Sequence, residues 1–231
     1  MKLGITLPEK LTVLCLGAHA DDIEIGCGGT VLTLLEGRPA VDVWWCVLSG
    51  SEERAREARQ SAGHLLVGAA RRTIEVGSFR DGFFPAEFAT IKAWFEALAA
   101  RVSPDLILTH YRNDRHQDHR VVSDLTWNTF RNHAILEYEV PKYDGDLGQP
   151  NLFQPLTSTL AARKLAILAT AFPSQRAKDW YDEETFRGLM RLRGIECRAP
   201  ERYAEAFFAR KLVLAAAPPS GVLKAPNEVV R

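Results

Sequence analysis

The sequence predicts an α/β domain built on a mostly parallel sheet with helices on both faces. Three observations predict it. Short apolar runs alternate with helix-length amphipathic stretches through about the first 140 residues. Such alternation calls for right-handed strand–helix–strand units, which cover both faces of a sheet. At 231 residues, 46% hydrophobic and 25% charged, the chain can bury a core of ordinary size.

Leu11 to Leu16 is an apolar run closed by Gly17 and reads as a buried strand. Gly28 to Glu36 reads as a helix, ended by Gly37 and Pro39. Val41 to Leu48 is a second strand, and Glu52 to Leu66 a charged amphipathic helix that stops near Gly68. Thr73 to Val76 is a third strand. Glu87 to Arg101 is a helix halted before Pro104, and Asp105 to Thr109 a fourth strand. A helix over Val121 to Asn132 and a strand over Ile135 to Val140 follow. Pro141 to Pro155 is rich in Pro, Gly, Asp and Asn and reads as a long loop. Helical patterns return at Ala161 to Thr170 and Glu183 to Arg193, and the Pro- and Ala-rich tail, Ala215 to Arg231, reads as loosely held. One domain over 1–231 is expected, with an α/β core over 1–140 and a specificity loop and C-terminal helices over 141–231.

Bulk properties exclude several classes of function. The formal net charge is zero, so nothing favours nucleic acid or an anionic membrane surface. No targeting segment and no membrane span is visible. The four cysteines form no CxxC pair, which points to reduced thiols and a cytoplasmic location. Gly26-Cys27-Gly28-Gly29 is not a dinucleotide fingerprint, because Val31 holds the last glycine position.

Two stretches carry chemistry. His19-Ala20-Asp21-Asp22-Ile23-Glu24 follows the first strand and crowds one imidazole with three acids. Acids this close repel unless a cation or a shared proton compensates them. His110 to His119, ending His116-Gln117-Asp118-His119, follows the fourth strand. In a parallel sheet both stretches lie on the edge where ligands bind. Alone, each has a plain reading: first-turn acids for the one, a solvated helix start for the other. Together they describe a catalytic metal site, which takes two His and a carboxylate and keeps a position open for water. His19, Asp22 and His119 suit the ligand set; Asp21 and His116 remain for acid–base and oxyanion roles. Arg54, beside Glu57 at the start of the second helix, is on the same edge and suits either a sugar hydroxyl or an intrahelical ion pair. Tyr111 and Lys142-Tyr143-Asp144 are further polar candidates.

The stretch His19-Ala20-Asp21-Asp22, then Gly26-Cys27-Gly28-Gly29-Thr30, with the later His116-Gln117-Asp118-His119, resembles the PIG-L/LmbE-like de-N-acetylase family. The resemblance covers about the first 140 residues; Ala20 stands where the family usually has Pro, and Ile23 where many members have an acid. It implies a Rossmann-like fold and zinc-dependent removal of an N-acetyl group from an N-acetylglucosamine-type sugar. It implies His19, Asp22 and His119 as ligands, Asp21 as general base to a metal-bound water, and His116 as transition-state stabiliser. It further implies Asp118 as the group that orients His116, and Asp81, in Asp81-Gly82, as a substrate contact. Ferrous iron or cobalt suits the same donors as zinc. The expected partner is a small amino sugar, free, conjugated or lipid-linked, and a homo-oligomer is compatible with it. Two alternatives stand beside this reading: an amidase acting on a larger amide conjugate, and a nucleotide-sugar binding module without hydrolysis.

Overall fold

The computed structural model describes residues 4–38 and 40–212. The tail from Ala215 onward lies outside them. Seven strands form one sheet in the order β3-β2-β1-β4-β5-β7-β6. They are β1 (Leu11–Gly17), β2 (Val41–Val47), β3 (Arg71–Val76), β4 (Leu106–His110), β5 (Ala134–Tyr138), β6 (Leu152–Leu156) and β7 (Tyr203–Ala209). The helices are α1 (Asp22–Glu36), α2 (Glu52–Leu65), α3 (Phe88–Ala99), α4 (Gln117–Thr129), α5 (Ser158–Ala171) and α6 (Glu183–Glu196), with a short 3-10 turn at Pro173–Gln175.

The first five strands pair in parallel, and β7 and β6 complete the sheet in antiparallel fashion. The period-2 geometry of a strand explains the two cores. Leu11, Val13 and Cys15 of β1 join the core under α1, α2 and α5, while Leu14 and Leu16 point into the core under α3 and α4. No helix among the described residues is long and apolar enough to cross a membrane.

The chain leaves β1 to one side for β2 and β3, then returns on the other side as β4 and β5. The carboxyl ends of β1 and β4 therefore flank the point where strand order reverses, the place where open α/β sheets bind ligands.

The structure departs from the sequence reading chiefly at α1, at α4, which begins at Gln117 rather than Val121, and in the last two strands. α1 begins at Asp22 rather than Gly28, and its glycines lie within the helix. Glycine lowers helix propensity, so the sequence pattern starts too late. Packing is what requires it: a Cβ on Gly26 would sit 2.1 Å from Tyr138 Cδ2, and one on Gly29 2.6 Å from Leu156 Cδ1. The predicted loop over 141–155 runs into β6, an edge strand that tolerates Pro155 because its outer side needs no ladder hydrogen bond. β7, which sequence analysis did not identify, is covered by α6 and carries a buried Glu205. That carboxylate accepts from the Gly29 and Thr30 amides, the Thr30 hydroxyl and Lys164, clamping α1 and α5 to β7.

Gly26→Val should therefore cost about 1–3 kcal/mol through overpacking against Tyr138. Gly188, inside α6 with nothing within 4 Å of its would-be Cβ, is the control. Gly188→Ala should gain up to about 1 kcal/mol. Urea unfolding of the two variants checks both signs.

Candidate metal centre

The turn after β1 delivers His19, Asp21 and Asp22 together. The His19 amide donates to Asp22 Oδ2 at 2.6 Å, folding the turn back on the first residue of α1. The turn after β4 delivers His116 as the N-cap of α4 and His119 in its first helical turn. The two turns, about a hundred residues apart, meet at three side chains. His19 Nδ1 lies 3.2 Å from His119 Nε2 and 3.4 Å from Asp22 Oδ2, and His119 Nε2 lies 3.5 Å from Asp22 Oδ1.

The protons on the two rings are committed elsewhere. His119 Nδ1 is 2.9 Å from Asp114 Oδ2, which also takes Lys142 Nζ at 2.9 Å. His19 Nε2 is 3.2 Å from Asp118 Oδ2 and 3.1 Å from Asp81 Oδ1. With both rings neutral and N–H on those outer nitrogens, the inner ones would present lone pairs to each other and to the Asp22 carboxylate. That arrangement asks for positive charge at its centre. Four ligands held tetrahedrally at zinc distances lie about 3.3 Å apart, which is the spacing of these three. Carboxylates behind metal-binding histidines are the usual outer support. The donor set fits a divalent cation.

The electrostatics show the same demand for positive charge, met here by a proton on His19. Burial disfavours a charged His19 ring, yet Asp22, Asp118 and Asp81 outweigh it and hold its pKa well above the usual value. Burial also works against the Asp22 carboxylate, but His119, His110 and His19 hold its pKa well below the ordinary range. Burial, reinforced by His110, pushes His119 down to about 4, which leaves it neutral and free to ligate.

Three groupings of possible ligands overlap with these residues: His19, His116 and His119; His19, Asp81, His116 and Asp118; and Asp22, His110 and His119. In each, the extra ring is partly engaged. His110 Nε2 accepts from the Ala18 amide at 2.9 Å and lies 3.3 Å from the Tyr138 hydroxyl. His116 Nδ1 accepts from the Asp118 amide at 3.3 Å, so the proton of its neutral ring belongs on Nε2. Burial and the charge of His19 lower the His116 pKa, which favours that neutral form.

Asp21 lies beside this cluster. Arg54 Nη2 donates to its Oδ1 at 2.7 Å, whereas Oδ2 is buried with no partner. Burial raises the Asp21 pKa and Arg54 pulls it back. Glu24 lies deeper, both oxygens without a hydrogen-bond partner, and burial pushes it up to about 8.

The remaining sequence candidates are placed as follows. Asp118 turns its carboxylate to His19 and to the Gly82 and Phe84 amides, at 2.6 and 3.1 Å; its backbone N–H donates to His116, and its charge favours a protonated His116 ring. The two amides hold the carboxylate at the 81–84 turn, where it lies within 4.8 Å of ring nitrogens of both His19 and His116. Asp81 is exposed at the mouth, and its hydrogen bond to His19 lowers its pKa. Tyr111 stacks on Phe208 with centroids 3.8 Å apart, and its hydroxyl accepts from Asn113. Arg54 is engaged by Asp21, Glu57 and Ser174. Sequence reasoning missed Asp114, whose only signal was an acid two residues before His116, and the part of Lys142 behind it.

Comparison with known proteins agrees with the geometry. Three solved structures share the fold. A conserved protein from Thermus thermophilus is 22% identical with a TM-score of 0.70, covering 89% of this chain and 97% of its own. N,N'-diacetylchitobiose deacetylase from Pyrococcus horikoshii, solved with an inhibitor, is 21% identical with a TM-score of 0.61, over 85% and 82%. GalB, the 4-carboxy-2-hydroxymuconate hydratase from Pseudomonas putida, is 17% identical with a TM-score of 0.70, over 90% and 100%. The family model PIG-L, described as GlcNAc-PI de-N-acetylase, matches residues 14–130, a span that holds both turns of the cluster. The chain belongs to the PIG-L family.

Proposed function

We propose that the protein is a divalent-metal-dependent amidohydrolase that removes an acyl group, acetyl first among candidates, from the nitrogen of an amino sugar or its conjugate. One observation carries this reading. The inner His19 and His119 nitrogens face each other beside Asp22, and the neighbouring Asp21, which feels the charges of Asp22 and His19, has a buried Oδ2 with no hydrogen-bond partner.

His19, Asp22 and His119 would hold the ion: zinc, or ferrous iron or cobalt by the same donor chemistry. When bound, the ion supplies Lewis acidity that activates water and polarises the acyl carbonyl. The protein's own groups do the rest. Asp21 Oδ2 takes the proton of the attacking water. The Nε2–H of His116 is the donor left for the oxygen that gains charge. The carbon–nitrogen bond breaks as the departing nitrogen receives the proton that Asp21 took from water, directly or through a His116 ring protonated in the meantime, and the carboxylic acid leaves. Asp81, exposed beside His19, is placed to meet a sugar hydroxyl at the mouth.

A fold shared with a hydratase raises a competing reaction, addition of water to a carbon–carbon double bond. The family model favours the amide reaction instead. Acetate release from N-acetylglucosamine, N,N'-diacetylchitobiose and lipid- or peptide-linked N-acetyl sugars separates the two. Release from none of them, with full metal loading, would sink the proposal.

Three outcomes are expected. Free zinc at a hundredfold over its dissociation constant should stabilise the fold by about 2.7 kcal/mol, read as a rise in melting temperature that His119→Ala abolishes. Asp21→Asn should keep the metal and lose roughly 10²–10⁴-fold in kcat; full activity would remove Asp21 from its role. Asp114→Asn should weaken metal affinity by about 10–100-fold, measured by competition with a chelator dye.

A further inference from the structure

Asp21 is one end of a buried network that runs through α2 to the turn between α5 and α6. Arg54 Nη2 donates to Asp21 Oδ1 at 2.7 Å. Arg54 Nη1 donates to Glu57 Oε2 at 3.1 Å and to Ser174 Oγ at 3.3 Å. Glu57 in turn accepts the Ser174 amide at Oε1, 2.9 Å, and the Ser174 hydroxyl at Oε2, 2.6 Å. The side chains of Arg54, Asp21 and Glu57 are 17%, 5% and 7% exposed. The Phe172 ring closes the underside of the guanidinium, 5.6 Å from its carbon.

The contact with Asp21 is one-sided. An arginine used only to neutralise a carboxylate commonly grips both oxygens with its fork. Here the fork divides. One arm fixes Asp21 Oδ1, the other is anchored by Glu57 and Ser174, and Asp21 Oδ2 stays buried without a partner beside the histidine cluster. A buried polar atom left unpaired in a native fold needs a reason. A guanidinium held at both ends sets the plane of the carboxylate, and that plane decides where the open lone pairs point.

We propose that Arg54 is a positioning residue for Asp21, held in place by Glu57 and Ser174. This rests on the reading of Asp21 as the base. It ties the base to Pro173–Gln175, a turn that lies beyond the matched residues 14–130. The turn contributes no group to the reaction; its docking holds Arg54, and Arg54 holds the carboxylate.

The test uses the metal-loaded full chain and a substrate that the wild-type protein turns over. Arg54→Met should lower kcat by roughly 100-fold, the effect of a misplaced catalytic group, while KM moves by less than about threefold. Arg54→Lys should recover part of the loss. Guanidinium ion in the buffer should restore part of the activity of Arg54→Ala. Ser174→Ala removes no charge and should lower kcat by about 3–10-fold at unchanged KM. Bound metal should equal wild type in every case. A raised KM with kcat preserved would show that Arg54 touches substrate and would overturn the proposal. An unchanged kcat in Arg54→Met would overturn it as well. If Arg54→Met does not fold, Arg54→Lys and Ser174→Ala decide, and wild-type kcat in both counts against it. Should the wild-type protein release no acyl group at all, the reaction assignment fails separately. The positioning claim is then read in a crystal structure of Arg54→Lys or Arg54→Met. A rotated Asp21 carboxylate supports it, and one unmoved with Oδ2 still open contradicts it.

Discussion

Two imidazole nitrogens face each other across 3.2 Å, each with one of the two Asp22 carboxylate oxygens 3.4 to 3.5 Å away. The arrangement follows from where the ring protons go. Asp114 draws the proton of His119 to Nδ1, and Asp118 with Asp81 draws that of His19 to Nε2. Facing lone pairs and a negative charge are unfavourable unless something positive lies among them. The buried acids around the two rings are therefore part of one device, and the neighbouring pKa shifts express the same demand for positive charge.

The fold makes this approach without a covalent link between the two turns. β1 and β4 are neighbours, and the chain reverses its direction of travel across the sheet between them. Their turns must then meet above the same edge. Tyr138 supports the floor from β5: its hydroxyl donates to Leu16 O at 2.7 Å and abuts His110, and its ring fills the space that Gly26 leaves in α1. His110 in turn packs in a stack with His119, centroids 3.9 Å apart. The glycines that weaken α1 as a helix are what let it lie this close to the sheet.

Much of the site was legible in the sequence because its chemistry is packed into two contiguous turns. Asp21 and Asp22 beside His19, and His116 beside His119, stand out as residue types that do not crowd together without a cause. The five parallel strands were legible for a related reason, since each is a short apolar run followed by a helix. What was not legible depends on contacts across the fold. Asp118 was read as the support of His116; that the Gly82 and Phe84 amides also hold its carboxylate against His19 is visible only in the fold. Asp114 looks like a turn residue until His119 folds over it. β7 hides because its seven residues include alanines and an acid, and Glu205 is tolerable inside only through its amide, hydroxyl and lysine donors from α1 and α5. Arg54 read equally well as an ion pair or a sugar contact; the division of its fork between Asp21 and Glu57 is visible only in three dimensions.

Crystals grown with zinc and measured at the zinc absorption edge test the central claim most directly. The account predicts one strong anomalous peak about 2.0–2.2 Å from His19 Nδ1, His119 Nε2 and an Asp22 carboxylate oxygen together. A peak held by other side chains, or these three side chains in place at saturating zinc with no peak among them, would contradict it.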